Sequence, residues 1–251
     1  MTTTPPVAIV TGAARRIGKA IAEDLAAHGW AVAIHYDRSR NDAEATAAAI
    51  RESGMTAVAI QGDLADGNTL PGLLQRVNDA LGKPSLLVNN ASMFTTDAGG
   101  PLDLEQHERQ MAVNLTAPIF LSRALAEQLP DETEGNVVNI LDQSVWKPTP
   151  RHFSYQLSKV GLWEATRMLA QLLGPKVRVN GIAPGPTLRH GAQTEEEFQA
   201  RIDTIVLKRA PALEEFGRTV RFFIENRSIT GQMIGLDGGQ HLAWETPDVI
   251  D

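Results

Sequence analysis

This chain of 251 residues reads as a single α/β domain, a doubly wound parallel sheet of about seven strands with helices on both faces. Three observations predict it. Short apolar, β-branched runs alternate with helical patterns from one end to the other. The runs are apolar on nearly every residue, as strands covered on both faces must be. The first run stops at Thr11-Gly12, a glycine turn that opens a helix. Right-handed crossovers through the helices then keep the strands parallel.

A hydrophobic content of 43% at this length supports one continuous core, so residues 1–251 are expected to form one domain. Val7 to Val10 is the first strand, and Ile17 to Ala27 follows at helical period. The unit recurs with a strand at Ala31 to His35, an Ala-rich helix at Asn41 to Ser53, a strand at Thr56 to Gln61 and a helix at Asn68 to Leu81. Next come a strand at Leu86 to Val88, a long helix within Leu104 to Gln128, a strand at Asn136 to Leu141, a helix at Ser154 to Leu173 and a strand at Val177 to Ile182. Pro184-Gly185-Pro186 breaks the rhythm and begins a lid over about 184–210, with acidic residues Glu195 to Glu197 and an amphipathic helix through Ile205. A helix at Leu213 to Glu225 and a short strand at Met233 to Leu236 complete the pattern.

Composition excludes several classes of function. No Cys occurs, which removes disulfides, thiolate catalysis and Cys-based metal sites and fits a cytoplasmic location. His35, His107 and His152 lack metal-ligand spacing, so no metal is expected. The N-terminus has no basic segment followed by an apolar one, and no apolar run approaches the roughly 20 residues of a membrane span. A net charge of −7 disfavours nucleic acid and anionic membranes while allowing a local basic pocket for a small anion.

The first strand-to-helix turn of such a sheet receives a pyrophosphate, because free backbone N–H groups and the positive helix end face it. Thr11-Gly12-Ala13-Ala14-Arg15-Arg16-Ile17-Gly18 stands there, with its two glycines six residues apart and Arg16 where a three-glycine variant has its middle glycine. The end of the second strand selects the nucleotide, since an acid there grips the ribose hydroxyls of NAD and repels a 2′-phosphate. Tyr36 takes the acid's position, and Arg38 and Ser39 follow as phosphate donors, which favours NADP(H); Asp37 facing the ribose would weaken that preference. Asp63, followed by Leu64, either holds the adenine amino group or caps the next helix. Further on, Tyr155 and Lys159 are spaced i, i+4, so one helix face brings a phenol and an ammonium into one pocket. The charge of that ammonium beside a buried phenol is expected to lower the phenol's pKa.

In this order, Thr11-Gly12 through Gly18, Asn89-Asn90-Ala91, Asn114, Tyr155 with Lys159, and Pro184-Gly185 resemble the short-chain dehydrogenase/reductase family over nearly the whole length. The resemblance implies a Rossmann-type fold and a nicotinamide at the carboxyl ends of the strands. It implies catalytic roles for Asn114, Tyr155 and Lys159, and cofactor contacts along the first turn, at Asn90, Ala91 and Ser92, and at Pro184 and Gly185. It also implies a homotetramer built through the helices carrying Asn114 and Tyr155. Leu162, Ala165, Met168 and Leu169 suit such a face, and a core-facing stripe would look the same.

The chain departs from the family thirteen residues before the tyrosine, where a Ser is usual and Asp142 stands, with Ser144 two residues on. An ionised Asp only accepts hydrogen bonds, so it suits a substrate that offers N–H groups or needs a proton delivered. In the alternative, a bulged turn puts Ser144 in the usual place. Asp142, Arg16, the stretch His35-Tyr36-Asp37-Arg38-Ser39 and the segment Asn89 to Phe94 resemble the pteridine reductase branch. That likeness implies substrate contacts by Arg16, Ser92, Phe94, Asp142 and Tyr155, with Phe94 stacking on a pterin. The expected activity is NADPH-dependent reduction of a dihydropterin, dihydromonapterin or dihydrofolate. The alternatives are a carbonyl reductase acting on a 3-oxoacyl carrier, sugar or steroid, and a nucleotide-binding protein without turnover. Trp146 and Phe153 either pack or line the site.

Overall fold

A computed structural model of the chain describes residues 4–95, 97, 101–189, 191 and 193–244. Period-two alternation within the strands divides the core between the two faces of the sheet. In β1 (Val7–Val10), Ala8 and Val10 enter one apolar cluster while Val7 and Ile9 enter the other. In β2 (Ala31–Tyr36), Val32, Ile34 and Tyr36 join the first cluster and Ala31 and Ala33 the second. Apolar side chains on both faces leave no side for water, so helices cover both. On the first face lie α1 (Arg16–Ala27), α2 (Arg40–Glu52) and α8 (Leu213–Glu225), through Ile21, Leu25, Ile50, Phe216 and Phe223. On the second lie α3 (Leu70–Leu81), α5 (Ala117–Gln128) and α6 (Phe153–Leu173), through Leu73, Val77, Leu121, Leu125 and Leu169.

The remaining strands are β3 (Ala57–Gln61), β4 (Pro84–Asn89), β5 (Gly135–Ile140), β6 (Val177–Pro184) and β7 (Met233–Leu236), and all seven form one sheet in the order β3-β2-β1-β4-β5-β6-β7. Every neighbouring pair is parallel. The order in which successive strands are added reverses between β1 and β4, and such a switch point opens a crevice at the carboxyl ends of the strands. Most element boundaries agree with the sequence pattern to within one or two residues. Among the described residues, no helix is long and apolar enough to cross a membrane.

The long helix expected over Leu104 to Gln128 is interrupted. It consists of α4 (Leu104–Met111), one wide turn over Ala112–Thr116, and α5, with the Ala117 N–H reaching back five residues to the Ala112 carbonyl. Pro118 explains the interruption: it has no N–H for the carbonyl four residues back, at Asn114, and its ring crowds that carbonyl. The widened turn therefore centres on Asn114. In the segment expected to form a lid, α7 (Glu195–Asp203) ends two residues before the expected Ile205 and begins in a capping box between Thr194 and Glu197.

Candidate active site

The crevice at the switch point is a cleft of about 1380 Å³. That exceeds the usual range of roughly 300–1,000 Å³ for a single ligand, so it has room for a dinucleotide and a second molecule. Every residue expected from the sequence to touch cofactor or substrate lines it, from Gly12 through Gly18 to Pro184 and Gly185. Asn114 is fully buried behind the wall.

Steric necessity explains the glycines of the first turn. Gly12 has φ +62°, and a Cβ there would lie 2.8 Å from the Ala91 Cα; a Cβ on Gly18 would lie 2.6 Å from the Gly12 carbonyl oxygen. Thr11 joins the two strands that flank the crevice: its hydroxyl donates to the Val88 carbonyl and accepts the N–H groups of Asn90, at 2.9 Å, and Ala91, at 3.0 Å. The Asn90 side chain donates back to the Thr11 and Gly12 carbonyls. Arg16 adopts φ +56°, the left-handed region that suits the glycine of a three-glycine turn. Its guanidinium donates to the Leu188 and Arg189 carbonyls, at 3.3 and 2.8 Å, tying the first turn to the segment after β6. Arg15 instead pairs with Asp42 at 2.6 Å.

At the ribose end, Tyr36 is buried against the sheet while Arg38 extends into solvent, 3.5 Å from Asp37. Ser39 precedes α2, and its hydroxyl makes no capping bond. The Asp63 carboxylate accepts the Ala65 N–H and the guanidinium of Arg109. Burial alone would raise its pKa, but these donors outweigh it and hold the carboxyl below its usual value. Because α3 starts only at Leu70, Asp63 does not cap that helix. Arg109 escaped the sequence reading, since an Arg on a helix carries no sign of a partner forty-six residues away.

At the other end, the Tyr155 hydroxyl donates to Asp142 Oδ2 at 2.8 Å. Asp142 Oδ1 accepts both the N–H and the hydroxyl of Ser144, at 2.8 and 2.5 Å, and the Gln156 amide donates to that hydroxyl at 2.9 Å. The Asp therefore touches the phenol directly and Ser144 stands one bond behind it, the reverse of the bulged-turn alternative. Gln156 and its role were absent from the sequence reading, although its place beside Tyr155 was a possible signal. Lys159 is 2% exposed and donates to the Ile140 carbonyl at 2.8 Å. Asn114 accepts the Met93 N–H and donates to the Met93 carbonyl and to Ser158 Oγ.

The electrostatics correct one expectation. Burial lowers Lys159 to about 8, opposed by the negative charge of Asp142. Tyr155 is not lowered: burial of the phenol, then the Asp142 charge and hydrogen bond, raise it well above its ordinary value. The ammonium lies 5.8 Å from the centre of the ring and donates elsewhere, so the nearby carboxylate outweighs it.

The Tyr155 end of the cleft is walled by Phe94, whose ring meets Tyr155 edge-on at 4.8 Å and His152 at 4.6 Å. His152 stands at φ +55° immediately before α6, a strained position beside the site. Trp146 lies outside the cleft wall, packed on His241 at 4.5 Å, and Phe153 also lies outside it. The apolar stripe on α6 divides, with Leu162 and Leu169 in the core and Met168 exposed. Gly185 lies against Asp237, where a Cβ would come within 2.6 Å of the Asp237 Cα.

A glycine-cradled turn at a switch point, with a Tyr and a Lys at the opposite end of the same cleft, defines a dinucleotide-dependent α/β protein of the doubly wound class. The family model described as short chain dehydrogenase matches residues 6–200. The chain belongs to the short-chain dehydrogenase family. A crystal structure of FolM Alternative dihydrofolate reductase 1 from Brucella canis, complexed with NADP, is 54% identical, covers 98% of each chain and superposes with a TM-score of 0.95. Pteridine reductase 1 of Leishmania tarentolae is 32% identical over 96% of this chain and 99% of its own. A 3-oxoacyl-[acyl-carrier-protein] reductase of Synechocystis sp. is 31% identical over 94% of this chain and 97% of its own.

Proposed function

We propose that this chain is an NADPH-dependent reductase of a pterin-type substrate, acting on the C=N bond of a dihydropterin, dihydromonapterin or dihydrofolate. The observation that carries the reading is the 2.8 Å bond between Tyr155 and Asp142, an acceptor where a ketone reductase needs a donor. The residues present fit the cofactor. Added Cβ atoms would fill the cradle at Gly12 and Gly18, and Arg38, solvent-exposed beside Asp37, stands with Ser39 at the ribose end to meet a 2′-phosphate. When bound, the nicotinamide supplies a hydride to the carbon of the C=N bond.

Tyr155 delivers the proton that the ring nitrogen then requires. Its raised pKa keeps it protonated until the substrate draws the proton away, and the Asp142 carboxylate, on the other side of that bond, accepts N–H groups of the heterocycle and orients it. Lys159 holds the ribose and supports reprotonation of Tyr155, and Asn114 anchors the Met93 loop and Ser158 beneath them. Phe94 presents an aromatic ring for stacking, Ser92 lies along the same wall, and Arg16 serves phosphate and pterin. We further infer a cytoplasmic homotetramer, supported by the exposed Phe120 of α5 and the exposed Met168 and Leu172 of α6.

Purified protein with NADPH reduces dihydrobiopterin, dihydromonapterin or dihydrofolate in this reading. Turnover of a 3-oxoacyl thioester with none of the three pterins would establish the carbonyl reductase instead. Changing Tyr155→Phe lowers kcat by about 10²-fold or more while NADPH binding, followed by nucleotide fluorescence, is retained.

A further inference from the structure

His35, the penultimate residue of β2, is 1% exposed and belongs to neither end of the proposed chemistry. Its Nε2 lies 3.0 Å from the Gly62 carbonyl oxygen, and its Nδ1 lies 3.2 Å from the Gly12 nitrogen. A carbonyl oxygen only accepts, so Nε2 carries the proton. A backbone N–H only donates, so Nδ1 is bare and accepts it. One neutral tautomer satisfies both bonds, whereas an imidazolium would oppose two N–H groups at Gly12. Burial, reinforced by the charge of Arg76 and opposed by the bond to Gly62 and the charge of Asp63, lowers the imidazole to about 4.

The main chain of the same residue completes the arrangement, since the His35 carbonyl accepts the Ala13 N–H at 2.9 Å. Residue 35 therefore holds two successive peptides of the first turn. The imidazole also links that turn to the one after β3, where Gly62 precedes Asp63. With Gly12 and Ala13 held in this way, the first N–H groups of α1 are the ones placed to meet an anion.

We propose that His35 is a positioning residue for the dinucleotide: as the neutral tautomer protonated on Nε2, it fixes the Gly12 and Ala13 peptides and so shapes the turn that receives the pyrophosphate. The inference rests on the nucleotide-binding reading and not on the identity of the substrate.

Three variants separate the two bonds. His35→Asn keeps an acceptor near the Nδ1 position and loses the reach to Gly62. His35→Gln keeps a donor near the Nε2 position and loses the acceptor at Gly12. His35→Leu loses both. NADPH and NADH are titrated by nucleotide fluorescence, and thermal midpoints are recorded alongside. All three variants lower the midpoint, because each leaves a buried polar group unpaired. NADPH affinity falls about tenfold, or about 1.4 kcal/mol, in the Gln and Leu variants and stays within about threefold of wild type in the Asn variant. Wild-type affinity in the folded Gln variant, or an Asn variant as weak as the Gln variant, overturns the assignment even if the Leu variant does not fold. Wild-type protein that binds neither nucleotide overturns this inference and the cofactor reading together, while a failure to reduce pterins leaves both intact.

Discussion

At the scale of single residues, the site depends on which neighbour dominates each titrating group. Burial raises the proton affinity of Tyr155 first, and the carboxylate within hydrogen-bonding distance adds to it while the ammonium lies farther away. Asp142 is legible in the sequence because it stands at a fixed distance from Tyr155. The bonds that orient it are not, since a side chain's direction depends on the fold and Ser144 and Gln156 look like ordinary polar residues. Lys159 supplies a pH prediction. Burial lowers it to about 8, so its amino group is a cation below that pH and neutral above it. The value of kcat/KM for NADPH, which reports the free protein, accordingly holds up to about pH 8 and then falls by about tenfold per pH unit. A profile flat through about pH 10 would remove the Lys159 cation from cofactor capture.

At the scale of elements, periodicity reveals the strands and helices because burial on both faces of a parallel sheet leaves a strong apolar signature. Helix α8 and strand β7 fall at the boundaries that the pattern predicts. The wide turn at Ala112–Thr116 is not visible to periodicity, because a π turn adds one residue without changing the apolar face greatly. Pro118 is the clue that sequence reasoning passed over. Pro118→Ala restores the missing N–H and lets the helix regularise, which rotates Asn114 away from Met93 and Ser158. We predict an unchanged or higher thermal midpoint with kcat lowered by up to about 10²-fold, the scale of a misplaced catalytic group. Equal kcat in the two proteins would separate the turn from function.

At the scale of the whole molecule, a protein of net charge −7 has a basic rim around one cleft, where Arg15, Arg16, Arg38, Arg151 and Arg201 line the opening. Repulsion from the rest of the surface acts on any anionic nucleotide, and the rim acts over a shorter range. With Arg38 83% exposed, its attraction to a 2′-phosphate is open to screening. Raising NaCl from about 0.05 to about 0.5 M should therefore raise KM for NADPH several-fold and KM for NADH less. Identical salt responses for the two nucleotides would remove Arg38 from the discrimination. The overall architecture is legible in sequence because alternation and switch-point logic act on long stretches, whereas the bonds from Arg16 to the segment after β6 are made by a single side chain and leave no pattern. An anion that draws the Arg16 guanidinium away from the Leu188 and Arg189 carbonyls would also release the segment after β6, and by reciprocity whatever strengthens those two bonds would weaken the anion's hold on Arg16 by the same free energy.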